Sequence, residues 1–210
     1  MEFPDLDFDL DFNLLDQNLT GESISENLIK RTRSKKQELL TIQKKQILKD
    51  VVKRFPAPGE YFHLVSKGTY DFYTIIPLFV ELGGTIREFY GSTWTMNRSN
   101  VQDLLKRFDD QQILKITILT GLYFKRRESA VYASLLEGLS RRKQGFIAAK
   151  NHAKVMLINQ GENFYTVEGS ANFTANPRIE QYVITNNRSL YQFHQSWMES
   201  LINGTKTDGR

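Results

Sequence analysis

Residues 146–172 read FIAAKNHAKVMLINQGENFYTVEGSAN, and the reading of this stretch decides the fold. Two runs rich in β-branched and aliphatic residues flank Gln160-Gly161-Glu162, a hairpin turn signal. Phe146 to Asn159 is expected as one strand and Phe164 to Ser170 as its antiparallel partner. Strand side chains alternate between faces, so His152 and Lys154 point the same way, as do Ser170 and Asn172 if the strand conformation persists. A turn centred on Gly161 sets His152 opposite Ser170. A slip of one residue would undo that pairing, because register decides which side chains face each other.

The residues so gathered share one chemistry. An imidazole can attack phosphorus, a lysine ammonium can neutralise phosphate oxygens, and Ser and Asn add hydrogen bonds that strengthen as charge develops. None of these side chains needs a metal, and no cofactor is expected. Taken singly, each pair has a plain reading: His152 and Lys154 suit a solvated strand face, and Gly169-Ser170-Ala171-Asn172 suits a turn or a helix cap.

Taken together, His152-Ala153-Lys154 followed by Gly169-Ser170-Ala171-Asn172 resembles the phospholipase D superfamily, whose signature runs H-x-K-x4-D and then G-S-x-N. The aspartate position holds Asn159 here, a departure from that pattern. Single-motif nucleases of the superfamily also carry a glutamate shortly after G-S-x-N that accepts a hydrogen bond from the nucleophilic histidine, and Glu180 fits that place. A carboxylate so placed fixes the tautomer and stabilises the imidazolium. The resemblance implies a catalytic set of His152, Lys154, Ser170, Asn172 and Glu180, and an α/β fold with a mixed sheet flanked by helices. It also implies two histidines per reaction, one attacking to form a phosphohistidine and one protonating the leaving oxygen. With one motif per chain, the implied solution is a homodimer whose twofold axis passes through a shared site.

Composition narrows the rest. The chain has 210 residues, a formal net charge of +4 and no cysteine, which excludes disulfides, thiolate metal sites and cysteine nucleophiles. Its apolar stretches are broken by charge well short of a bilayer span, and the acidic N-terminus lacks the basic-then-apolar order of a signal peptide, so a cytoplasmic protein is expected. Charge is spread unevenly. Residues 1–19 hold Glu2, Asp5, Asp7, Asp9, Asp11 and Asp16 with no basic residue. Lys30 to Arg54 carries Lys30, Arg31, Arg33, Lys35, Lys36, Lys44, Lys45, Lys49, Lys53 and Arg54 against Glu38 and Asp50. Lys125-Arg126-Arg127 and Arg141-Arg142-Lys143 add further basic clusters. Such clusters attract polyanions, and nucleic acid releases counterions when they bind.

Along the chain, residues 1–22 read as a flexible acidic-hydrophobic segment that docks on a partner or on the chain's own basic surface. Residues 23–58 read as a basic helical arm and linker, with Leu39, Leu40, Ile42, Ile47, Leu48, Val51 and Val52 as an apolar stripe and Pro56-Ala57-Pro58-Gly59 as its close. In the domain expected over 59–203, strands and helices alternate, which argues α/β architecture. Strands are expected at Tyr61 to Val65, Thr85 to Tyr90, Ile113 to Thr120 and Gln181 to Thr185. Helices are expected at Thr69 to Leu82, Ser99 to Asp109, Ser129 to Ser140 and Ser189 to Ile202. Residues 204–210 read as a tail. His63, His194 and Trp197 fit packing better than a site, while Tyr90 to Trp94 and Thr120 to Tyr123 end strands where an α/β crevice would lie.

The expected function is a metal-independent phosphodiesterase, a nuclease acting on DNA ahead of RNA. Two alternatives remain: a non-catalytic nucleic-acid-binding or assembly protein on the same fold, and a phospholipid hydrolase or transferase.

Overall fold

In the computed structural model, residues 48–67, 70–174 and 177–207 are described. The acidic segment and most of the basic arm lie outside them. Runs of β-branched and aromatic residues form seven strands of one sheet. They are β1 (Tyr61–Lys67), β2 (Glu88–Thr93), β3 (Ile116–Gly121), β4 (Gly145–Ala149), β5 (Val155–Gln160), β6 (Asn163–Gly169) and β7 (Ile179–Asn186), in the order β1-β7-β6-β5-β2-β3-β4. The β2–β3 and β3–β4 pairs are parallel; every other pair is antiparallel. The sheet is therefore mixed. The ends of β1, β2, β3, β4 and β6 and the starts of β5 and β7 meet along one edge, and the candidate site lies there.

Helices cover both faces. A 3₁₀ turn (Phe72–Thr74) leads into α1 (Ile75–Gly83), and α2 (Arg98–Asp109), α3 (Leu122–Arg127) and α4 (Ser129–Arg141) follow in chain order. Ile75, Ile76, Leu78 and Phe79 of α1 are all fully buried, as a helix apolar nearly all round must be. They join Val101 and Leu104 of α2, Leu135 and Leu139 of α4, and Ile118, Met156, Val167 and Tyr182 of the sheet in the larger core. On the opposite face α5 (Arg188–Thr207) packs Tyr191 and Met198 on Tyr90, Val155 and Leu157.

Leu48, Val52 and Phe55 of the expected basic arm also pack in the larger core, while Val51 is 63% exposed. The described arm cations have acidic neighbours: Lys49 pairs with Glu81, Lys53 with Asp50 and Arg54 with Glu60. His194 is buried, accepts from Trp197 Nε1 at 3.0 Å and lies 3.4 Å from Glu168. Burial pushes its imidazole below the ordinary value, with Glu168 opposing. Its surroundings are those of a packing residue.

Two expectations need correction. Phe146 to Asn159 is not one strand. It divides into β4 and β5, which lie on opposite sides of the β2–β3 pair, and residues 150–154 cross the sheet edge between them. The register also differs by one residue, because Gln160 pairs with Asn163 and the turn is Gly161-Glu162. Gly161 has φ +66°, and Glu162 has no positive φ, the pattern of a type II′ hairpin turn with glycine first. Lys154 consequently faces Gly169, whose amide donates to Lys154 O at 3.2 Å.

Candidate active site

The crossing segment is built by a residue that motif reading passed over. Asn151 Oδ1 accepts from Ala153 N at 3.0 Å, an Asx turn that reverses the chain between Asn151 and Ala153. The same amide donates through Nδ2 to Ser92 Oγ at 3.1 Å and Thr93 O at 3.3 Å, while Ser92 Oγ donates to Ala153 O at 3.1 Å. Asn151 and Ser92 thus fasten the histidine turn to the end of β2. An Asn immediately before His-x-Lys is the signal that was available.

On this turn His152 is exposed and Lys154 half-buried. Lys154 Nζ lies 2.8 Å from His152 Nδ1 and donates to His152 O at 2.7 Å. Burial pushes the Lys154 ammonium below the ordinary lysine value, and the negative charge of Glu180 opposes that shift. The two motif residues therefore touch, although the chain between them is a turn and not a strand.

Gly169-Ser170-Ala171-Asn172 follows β6 along the same edge. Ser170 Oγ donates to Glu180 Oε2, and Gln181 N donates to Ser170 Oγ at 3.1 Å. Asn172 Oδ1 accepts from Trp94 N at 3.2 Å, and Phe173 N donates to Thr93 Oγ1 at 3.1 Å. The G-S-x-N segment is thus tied to β7 on one side and to the end of β2 on the other. Glu180 meets the cluster through Ser170; the ring of His152 meets Lys154 and Trp94 instead. The resemblance implies a hydrogen bond from His152 to Glu180; the side-chain hydrogen bond described here at Glu180 comes from Ser170.

Gly169 has a steric reason for its place. A Cβ there would lie 2.8 Å from Tyr182 Cδ1 and 2.9 Å from Gln181 O, and Tyr182 is fixed in the core. Gly169→Ala is expected to lower unfolding free energy by about 1–3 kcal/mol, the usual cost of overpacking. A urea midpoint unchanged from wild type would refute that.

Asn159 sits near the hairpin end of β5, five residues beyond Lys154, roughly 16 Å away at the usual strand rise. Of the second-rank candidates, Tyr90 points to the α5 face, where its hydroxyl donates to Glu199 at 2.5 Å and burial pushes its pKa up to about 12. Trp94 and Tyr123 do reach the site edge. Their rings stack at 4.7 Å with 9° between planes, and Trp94 lies 5.5 Å from the His152 ring. His63 points away, on the exposed outer face of β1 beside Tyr61. Among the described residues, no group of three His, Asp or Glu side chains is placed to hold a metal ion, and no helix is long and apolar enough to cross a membrane.

No protein-family model and no curated protein matches the chain. Solved structures do. Nuc, a phospholipase D family member from Salmonella typhimurium, matches with a TM-score of 0.50 at 13% identity over 67% of this chain and 93% of its own. Polyphosphate kinase from Porphyromonas gingivalis gives 0.51 at 15% over 69% of this chain and 26% of its own. TrmBL2, an archaeal chromatin protein, gives 0.50 at 11% over 80% and 64%. At such identities the likeness is one of fold, and that fold is the phospholipase D-like mixed sheet flanked by helices.

Proposed function

We propose that this protein is a metal-independent phosphodiesterase that cleaves nucleic acid through His152. The observation that carries the reading is the contact of His152 with Lys154 at a sheet edge where Ser170, held by Glu180, and Asn172, held by Trp94, also lie. An imidazole nitrogen attacks phosphorus and the P–O ester bond breaks. The leaving oxygen takes its proton from a second imidazole, the partner subunit's His152 in a twofold dimer. Water, deprotonated by that same imidazole, then attacks phosphorus, the P–N bond breaks and a phosphomonoester leaves. Lys154, which donates to His152 O, turns to the phosphate oxygens. Ser170 and Asn172 fix the segment that closes the other side of the cradle.

The direct test incubates purified protein with plasmid, single-stranded DNA, RNA and phospholipid, all in EDTA. Cleavage of nucleic acid is expected, with phospholipid untouched, and sedimentation should give a dimer. Turnover of phospholipid alone would reassign the substrate. A fully active monomer would remove the shared site.

Asn151 offers a finer test. Asn151→Ala should lower turnover by roughly 10- to 100-fold, because a nucleophile displaced by about an ångström loses that much. Unfolding should change little, and unaltered turnover would show that the Asx turn does not position His152.

A second reading keeps the fold and drops the chemistry, as a nucleic-acid-binding protein. It is favoured by the likeness to TrmBL2, described as showing a novel mode of DNA binding. Binding without cleavage of any substrate in the panel would select it.

A further inference from the structure

Beside His152 the rim of the site is aromatic and cationic, and the phosphate chemistry uses neither property. Trp94 is held at its backbone from two sides: its N–H donates to Asn172, and its carbonyl accepts from Gly121 N at 3.3 Å. Gly121 makes room for the indole, since a Cβ there would run into Trp94 Cδ1. The indole lies flat against Tyr123, which is 45% exposed at the start of α3. Arg127, one turn on, holds its guanidinium 5.8 Å above the Tyr123 ring. The sequence of groups leading out from the histidine is therefore indole, phenol, guanidinium.

Among the described residues the charge here is also uncompensated. Arg141 pairs with Glu137 and Arg142 with Asp109, whereas Lys125, Arg126 and Arg127 have no acidic partner among the described residues. Trp94 covers one face of the exposed Tyr123 ring, and the Arg127 guanidinium over that ring is held by no carboxylate among the described residues, so it can move aside; the ring surface it leaves suits a flat π-system attached to a phosphate, namely a nucleobase. Bases in a duplex are stacked on each other and hide their faces; unpaired bases offer them.

We propose that Trp94 and Tyr123, with Arg127 beside them, form a base-stacking platform that seats an unpaired base next to the phosphate at His152, which makes single-stranded nucleic acid the substrate class. The platform deepens the phosphodiesterase reading and rests on it for the position of the phosphate, but its test reads binding only. Trp94 and Trp197 are the two tryptophans of the chain, and a Trp197→Phe background leaves Trp94 as the sole reporter. The probes are a short phosphorothioate-linked thymidine strand, an abasic strand of equal length and charge, and the duplex, all in EDTA. Thymidine strand should quench Trp94 emission and the abasic strand should not. Tyr123→Leu should weaken binding of the thymidine strand by roughly 5- to 150-fold and change binding of the abasic strand or duplex by less than about twofold. Equal wild-type affinity for thymidine and abasic strands overturns the platform, as does an equal loss on both in Tyr123→Leu. Should Tyr123→Leu fail to fold by circular dichroism, the Trp94 quenching comparison decides alone. Base discrimination without cleavage would sink the phosphodiesterase reading and spare the platform; cleavage without base discrimination would do the reverse.

Discussion

Replacing His152 with alanine is expected to lower turnover by roughly 10⁴-fold or more, the order lost when the nucleophile of a covalent mechanism is removed. In the proposed dimer the loss is compounded, because one substitution removes both the attacking imidazole and the one that protonates the leaving oxygen. The fold should survive. His152 is exposed, and the turn that carries it is held by Asn151, Ser92 and Ala153, not by the imidazole. Nucleic-acid binding should survive as well, since Lys154 and the cations of α3 remain. Steady-state turnover, circular dichroism and filter binding on the one variant separate these effects. A decrease of only about tenfold, too small for loss of a nucleophile, would assign His152 a lesser role. Wild-type cleavage abolished by EDTA and restored by magnesium would contradict the mechanism itself.

Alternating apolar runs and turn residues placed most elements within a few positions, because each strand had to fill a face and each helix a stripe. The expected strand from Thr85 to Tyr90 lies instead at Glu88–Thr93, shifted toward the site edge, where the buried Ser92 and Thr93 look like loop residues in a linear reading. The short helix Leu122–Arg127 was not expected at all. Its basic run carries no periodicity, and its position is fixed by the end of β3 and by Tyr123 against Trp94.

The site shows the same division. Residue types at motif spacing were enough to single out His152, Lys154, Ser170 and Asn172 as candidates, and the structure places all four along one sheet edge. The geometry was not legible. The stretch Phe146 to Asn159 conceals a crossing between non-adjacent strands, because β4 and β5 are both largely apolar and only the five residues 150–154 separate them. The hairpin register depended on whether the turn had one central residue or two, and Gly161 was compatible with both. Glu180 is matched to His152 by position in the sequence, and in space its carboxylate accepts from Ser170, a contact that spacing along the chain does not reveal.

Lys154 is the residue whose loss should cost most after His152. Its ammonium is in contact with the proposed nucleophile, so Lys154→Ala is expected to reduce kcat by roughly 10²- to 10³-fold, as losing a donor to transition-state charge does. Lys154→Arg should recover part of it: the charge returns, but a planar guanidinium cannot fold back on His152 O as the ammonium does. The pH dependence gives a sharper test. The working form is protonated, so activity is lost as pH rises through the Lys154 pKa. Burial lowers that pKa, and the loss comes below the ordinary lysine range; the Glu180 carboxylate holds it partly up. Glu180→Gln removes that opposing charge while leaving an amide oxygen that can still accept the Ser170 hydroxyl. The alkaline limb of the pH–rate profile should therefore move to lower pH in Glu180→Gln and vanish in Lys154→Arg, whose guanidinium does not deprotonate. If the limb stays in place in both variants, another group titrates there, and Lys154 acts as a fixed charge whose protonation is never at stake.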